Sequence, residues 1–373
     1  MAVIGFLHHR YRTLGGEEHA IARLRDLVET ELGEQTVLLE RSSSTIGSVA
    51  AARGLLGGGS DPRQVAAFVR GHGVRVVHAH NLHPTFGWRA LEAAKQVGAG
   101  TVLHLHNYRL VCAVGTCVDP AGQDCTRCHG RNTTAGVVGR CRGNLPEAVV
   151  YGAGLARQQR RLTELADVVV VPSRAAHTRL KQLGAPLGEV EVLGHPVPLS
   201  VERSSAASGE YVLVTARLAP EKGVDLAISA CVEAGLPLVI AGSGPLREQL
   251  QWQAQGHDVR FVEPGSEDSL AGLRAGARIQ LVPSRAAETF GLAALEAMAA
   301  GLPVVAARVG ALADLDGVSL VASGDVAAMA AALRDVWERA REQGAHALEV
   351  AREVGDPGPI AARLAAIYER AAA

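Results

Sequence analysis

Short β-branched runs that alternate with helical stretches along the whole chain constrain the fold more than any other feature. In the first half they are Ala2–Leu7, Gln35–Glu40, Val74–Ala79, Thr101–His106, Asp167–Val171 and Glu189–Leu193. In the second they are Tyr211–Thr215, Pro237–Ala241, Asp258–Val262, Arg278–Val282 and Pro303–Ala306. Repeated βα units join strands in parallel, and parallel sheets are covered by helices on both faces. The pattern restarts after Pro196-Val197-Pro198 and the small polar stretch Ser204–Gly209, and 373 residues suffice for two domains. The expected class is therefore α/β, with two doubly wound, Rossmann-like parallel sheets. We expect a first domain over residues 1–198, a linker over 199–210, a second domain over 211–355 and a helical tail over 356–373. The tail follows a break at Gly355–Pro359 and holds a short helix, Ile360–Arg370. Ligands of open parallel sheets bind beyond the carboxyl ends of the strands, so two such domains are expected to face one cleft.

Composition narrows the functional classes. No apolar run approaches the roughly 18 residues that a membrane-spanning helix needs. The start, Met1–Leu7, lacks a basic lead and a small-residue cleavage pattern, so it reads as a strand and the cytoplasm is the expected compartment. A formal net charge of −1 argues against a general binder of nucleic acid or of anionic membranes. Lys95, Lys181 and Lys222 are the lysines of the chain, so a lysine inside a motif carries weight.

Four segments hold residues suited to chemistry. In Val282–Pro303 a strand ends, Glu288 sits in a loop, Gly291 opens a helix, and Gly301 with Pro303 closes it. The amides of Phe290, Gly291 and Leu292 would form a helix start suited to phosphate, with Glu288 before the turn and Glu296 inside the helix. Taken alone, the two acids also fit a helix-start carboxylate and a solvated one. Directly after the strand Tyr211–Thr215, Arg217 offers a planar fork and Lys222 a flexible point charge, the pair a diphosphate leaving group needs when no metal neutralises it. A surface turn with two cations is the bland alternative. Gly15 and Gly16 follow the first strand after a loop holding His8, His9 and Arg10, and would let a phosphate or sugar approach the backbone. Finally, His104 and His106 lie on one face at the end of a buried strand, with His106 nearer the ligand edge.

In this order the segments resemble the GT-B glycosyltransferases of the retaining glycosyltransferase family 4. Glu288 and Glu296 match its Glu-x7-Glu motif, Arg217 and Lys222 its phosphate-binding pair, Gly15-Gly16 its N-terminal glycine loop, and His106 its sugar-contacting histidine. The resemblance implies a metal-independent transferase that takes its sugar from a nucleoside diphosphate sugar, UDP- or GDP-linked, and needs no catalytic cofactor. It implies that Glu288 holds donor-sugar hydroxyls, Glu296 the ribose, Arg217 and Lys222 the diphosphate, and Gly16 the approach of the β-phosphate. The acceptor, a small molecule, glycan or glycolipid, would bind the first domain, to which the terminal helix would cross back.

Two other classes fit parts of the sequence. Gly242-Ser243-Gly244 after a strand suggests a nucleotide-cofactor oxidoreductase, but Arg247 stands where the third glycine of that fingerprint belongs. A catalytically silent binding protein is the other, with the cysteines as its interaction site. Cys112, Cys117, Cys125, Cys128 and Cys141 crowd an insert over residues 107–145, and Cys125-x-x-Cys128 has metal-knuckle spacing. The expected ligands of a structural zinc are Cys112, Cys125, Cys128 and Cys141, with Cys117 or His129 as substitutes. Residues 104–161 also carry eight arginines against three acids, which fits an anionic acceptor, peripheral contact with an anionic membrane, or plain solvated charge.

Overall fold

The computed structural model describes residues 2–11, 15–197, 199, 203–204, 206–263 and 265–373, which form two compact units. The first comprises residues 1–121, 125–196 and 357–373, and the second 122–124 and 197–356.

In chain order the first unit holds β1 (Val3–Arg10), α1 (Gly16–Glu31), β2 (Gln35–Ser42), α2 (Ser48–Gly57), α3 (Pro62–His72), β3 (Val74–Ala79), α4 (Gly87–Gln96) and β4 (Gly100–His104). After a long irregular stretch come α5 (Thr134–Val138), α6 (Leu145–Leu165), β5 (Val168–Val171), α7 (Arg174–Gln182) and β6 (Val190–Val192). The strands form one parallel sheet in the order β2-β1-β3-β4-β5-β6. Its central strands are nearly continuous apolar runs because helices cover both faces: β5 is four buried valines. The helix starts are written locally. Asp61 accepts the amide of Gln64 ahead of Pro62, and Asn144 accepts that of Glu147 ahead of α6.

The second unit holds β7 (Tyr211–Thr215), α8 (Val224–Ala234), β8 (Leu238–Ala241), α9 (Arg247–Gln253), β9 (Val259–Val262), α10 (Glu267–Gly276), β10 (Ala277–Val282) and α11 (Leu292–Ala299). It continues through β11 (Val304–Ala307), β12 (Val318–Val321), α12 (Val326–Glu338) and α13 (Ala340–Val354). Its parallel sheet runs β12-β11-β10-β7-β8-β9. Of the stretch read as a linker, Ser204 donates to the carbonyl of Ala277, and Ala206 is buried in the core of this unit. Residues 200–202 and 205 of it lie outside the described residues.

The chain then returns to the first unit. Helix α14 (Pro357–Ala372) is longer than the Ile360–Arg370 expected, and its Ile360, Leu364, Ile367 and Tyr368 share a core with Ile4, Val76 and Val102. Each such burial stabilises by roughly 1.5–3 kcal/mol. No helix among the described residues is long and apolar enough to cross a membrane.

Both sheets have a switch point, where the order of connection reverses: between β1 and β3 in the first, and between β7 and β10 in the second. Such points open crevices at the carboxyl ends of their strands.

Candidate active site

At the second switch point the chain leaves β7 through Arg217 and makes a single 3-10 turn, Pro220–Lys222. Gly223 ends the turn at φ +64, and a Cβ there would stand 2.1 Å from the carbonyl oxygen of Pro283 in the loop after β10. Only glycine allows this approach. The amides of Arg285 and Ala286 both donate to the carbonyl of Glu221, at 2.9 and 3.1 Å, so the two loops are stitched together by backbone. Arg285 also clasps Asp225 through two 2.7 Å bonds.

This stitching places Lys222 against Glu288. Lys222 Nζ donates to Glu288 Oε1 at 2.7 Å, and Ser284 Oγ donates to the same oxygen at 2.6 Å. The backbone of Glu288 is held too, its carbonyl accepting the amide of Ala311 at 2.8 Å. Burial alone would raise the Glu288 carboxyl, but the Lys222 charge, both hydrogen bonds and the nearby Arg217 charge bring it below the usual carboxylate range. The group is a fixed anion. Arg217 pairs with Glu221 one turn away. Phe290 packs on the core, Gly291 caps α11 in the left-handed region at φ +85, and Leu292 begins the helix.

Glu296 is placed differently from the exposed position considered for it. Its Oε2 accepts from Arg274 Nη2 on α10 at 2.5 Å, and that arginine is 8% exposed. Arg274 and Ser284 were not picked out from sequence, because a lone Arg or Ser carries no spacing signal.

Around the first switch point two details differ from expectation. β1 runs on to Arg10, so His8, His9 and Arg10 pair with β2 instead of forming a loop. They stay in the strand because His9 is buried between hydroxyls, with Nδ1 at 2.8 Å from Thr85 Oγ1 and Nε2 at 2.8 Å from Ser43 Oγ. Conversely, β4 stops at His104, and His106 lies just beyond it. Gly15 caps α1, its amide donating to Glu18 Oε2 at 2.8 Å, and Gly16 is the first helical residue. Leu14 lies outside the described residues. His8 stands 3.9 Å from Glu17 and 3.7 Å from Glu18. Burial raises the Glu17 carboxyl to about 7 against the opposing pull of His8.

His106 belongs to a stack of five imidazoles with His78, His80, His104 and His195. His80 Nδ1 lies 2.7 Å from His106 Nε2, and His78 bridges Tyr368 Oη at 2.9 Å and His104 Nδ1 at 3.3 Å. Burial, with the neighbouring histidines adding to it, keeps His80, His104 and His106 well below the usual histidine range, so the stack is neutral. His80, His104 and His106 line a cavity of about 30 Å³ together with Glu17, Asn107 and Arg109. A signal for the stack exists: His78-x-His80 and His104-x-His106 end neighbouring parallel strands, with His78 in register with Val102.

The Gly242–Gly244 loop does not open toward a dinucleotide. A Cβ at Gly242 would stand 1.9 Å from the carbonyl of Ala216, and one at Gly244 2.4 Å from that of Leu218, so the chain's own backbone requires both glycines.

Family comparison matches residues 29–196 to the glycosyl transferase 4-like domain and residues 209–339 to glycosyl transferases group 1. Each half of the chain thus matches a domain model of glycosyl transferases. It is 37% identical over 164 residues to a GDP-mannose-dependent alpha-(1-6)-phosphatidylinositol dimannoside mannosyltransferase of Mycobacterium tuberculosis, a match covering 40% of this chain and 43% of that relative. The chain thus spans less than half the length of this curated relative. Among solved structures it is similar to a sucrose-phosphate synthase from Thermosynechococcus elongatus, with TM-score 0.73, 17% identity and coverage of 99% and 98% of the two chains. It is also similar to Anabaena HepE in complex with UDP-glucose, with TM-score 0.67, 18% identity and coverage of 98% and 99%. These likenesses show a GT-B fold for this chain.

Proposed function

We propose that the chain is a retaining glycosyltransferase that moves a sugar from a nucleoside diphosphate sugar to an acceptor nucleophile without a catalytic metal. The observation that carries this reading is the Lys222–Glu288 pair, fixed by backbone at the switch point of the second sheet. A diphosphate leaves as an anion, and a preorganised cation beside its exit is the largest single aid a protein can give it. Lys222 and Arg217 take that task, helped by the amides of Phe290, Gly291 and Leu292. Glu288 accepts from hydroxyls of the donor sugar, which needs a carboxylate that stays ionised. Glu296, held by Arg274, takes the ribose. Gly15 and Gly16 are assigned to the β-phosphate.

No side chain in this reading serves as a covalent nucleophile. The acceptor attacks the face the diphosphate leaves, and a phosphate oxygen of the leaving group takes the acceptor proton while an oxocarbenium-like centre forms. His106 is neutral and orients a sugar hydroxyl instead of acting as base. The donor is UDP- or GDP-linked, supported by the UDP-glucose of the HepE complex and the GDP-mannose of the mycobacterial relative. The acceptor is a small molecule, glycan or glycolipid.

A thermal-shift panel of UDP, GDP, dTDP, ADP and NAD tests the reading, since a ligand of the native state raises its stability by mass action. UDP or GDP should raise the melting temperature, and the matching nucleotide sugar should be slowly hydrolysed when no acceptor is present. A shift with NAD and none with any nucleoside diphosphate would overturn it.

A further inference from the structure

The irregular stretch between β4 and α5 contains neither helix nor strand over residues 105–133, yet it is not loosely held. Tyr108, Leu110, Val111, Ala113 and Cys117 are all buried within it. A connection this long without secondary structure is uncommon in a compact domain unless something ties it down. All five cysteines of the insert, Cys112, Cys117, Cys125, Cys128 and Cys141, line one cavity of about 20 Å³, where Arg127 is the other polar side chain. That volume admits roughly one water-sized sphere. Thiols hydrogen-bond water weakly but are soft ligands for zinc. All five are free of disulfide bonds.

We infer that Cys112, Cys125, Cys128 and Cys141 bind one structural zinc ion as four thiolates. At three of the four positions a hydrogen-bond donor is directed at the sulfur. The amides of Val114, Gly115 and Cys117 are directed at the sulfur of Cys112, and the amide of Gly136 at that of Cys128. Arg127 Nε donates to Cys125 Sγ at 3.3 Å. Donors to metal-bound sulfur of this kind orient the ligand and lower its basicity. Cys141 closes the set from the turn after α5, its amide donating to the carbonyl of Gly136 at 3.0 Å.

Cys117 stays outside the set. It is 1% exposed, and its thiol is directed at the sulfur of Cys112 instead of at the open cavity. His129 stays outside too, because its ring packs on Gly184, where a Cβ would meet His129 Cε1 at 2.4 Å. Among the described residues the triplets of candidate ligand atoms within 4.8 Å of one another are histidine ones, so the thiols stand farther apart around their cavity. A tetrahedral zinc holds its sulfurs at about 2.3 Å, so binding would have to draw the four thiols inward. The ion would join the end of the β4 connection to the start of α6, cross-linking the whole insert.

Metal analysis of the full chain, purified under reducing conditions without added metal, should find about one equivalent of zinc, and stripping it should lower the melting temperature. Cys125→Ser and Cys128→Ser should each lose the zinc, whereas Cys117→Ala should keep it. Cobalt in place of zinc should show the thiolate charge-transfer band of a tetrahedral site. Less than about half an equivalent in the unmodified chain would overturn the inference, whether the thiols then titrate as free or the mass shows disulfides. Zinc lost from Cys117→Ala but kept in Cys125→Ser would overturn the ligand set. The wild-type measurement decides the main point even if a variant fails to fold.

Discussion

The two sheets offer the same topological opportunity and fill it with opposite electrostatics. At the β7/β10 switch point a lysine and a carboxylate are both ionised, 2.7 Å apart, and part-exposed at 29% and 16%. At the β1/β3 switch point burial drives one acid and the histidines toward neutrality: Glu17 is raised to about 7, and His78 is lowered to about 3, while Glu18 beside them is held below the usual carboxylate range. Desolvation acts at both places, and the difference lies in partners. Lys222 and Ser284 both bond Glu288 directly, whereas Glu17 takes a hydrogen bond from the Asn107 amide, has His8 at 3.9 Å and feels the opposing charges of Arg109 and Glu18, which do not offset its burial. Charge held in place suits a region where a charged group departs. Neutral imidazoles suit the recognition of uncharged hydroxyls.

The largest test of this contrast removes the charges. Glu288→Ala and Lys222→Ala should each lower kcat by roughly 10³-fold or more, about 4 kcal/mol of transition-state stabilisation, while the variants still fold. Steady-state kinetics with the donor identified by thermal shift would show it. Turnover within tenfold of wild type in either variant would mean that the charged switch point is not where the leaving group is stabilised.

The next test concerns stability at the neutral switch point. Burial raises the Glu17 carboxyl from 4.5 when free to about 7 when folded, so the native state holds its proton longer than the unfolded chain does. The stability this confers is complete below about pH 4.5 and declines as pH rises through 7, by about 3 kcal/mol in total. Glu17→Gln removes the titration. Urea unfolding near pH 4 and near pH 8 should show the variant gaining on wild type at the higher pH by up to that amount. Parallel stability curves for the two proteins would show that Glu17 is ionised at neutral pH, and the contrast between the sheets would collapse.

What could be read beforehand followed from how each signal is written into the chain. Buried parallel strands announce themselves as apolar runs, so Val168–Val171 and Val304–Ala307 were recognisable at once. The edge strand Val318–Val321 was not expected: every residue in it is only half-buried, and Ser319 breaks the run. β1 was cut short because histidines read as loop residues, although His8 and His9 are 3% and 0% exposed. At the second switch point the motif residues were visible, but their mutual bonding was not. Nothing in the spacing of Lys222 and Glu288 says that two backbone bonds to Glu221 will bring them together. The partner of Glu296, Arg274, lies one helix and one strand earlier, and ion pairs across elements leave no local pattern. The histidine stack is intermediate, since the His104-x-His106 pair stood out but neither His78-x-His80 nor the register that joins them did.

The smallest test asks whether the imidazole stack is a support or a working part. Its far end is anchored by Tyr368 on α14, whose hydroxyl lies 2.9 Å from His78 Nδ1, and His78 in turn reaches His104. Tyr368→Phe keeps the ring in the core and removes one buried hydrogen bond, so it should cost about 1 kcal/mol of stability. Because His106 is bonded through His80 and only stacked on His104, the loss should not reach its nitrogen, and kcat should stay within twofold of wild type. A tenfold fall in kcat at unchanged KM would instead show that the tautomer chosen at Tyr368 is passed along the rings to His106. The neutral switch point would then be chemically coupled to the tail of the chain, and not merely packed on it.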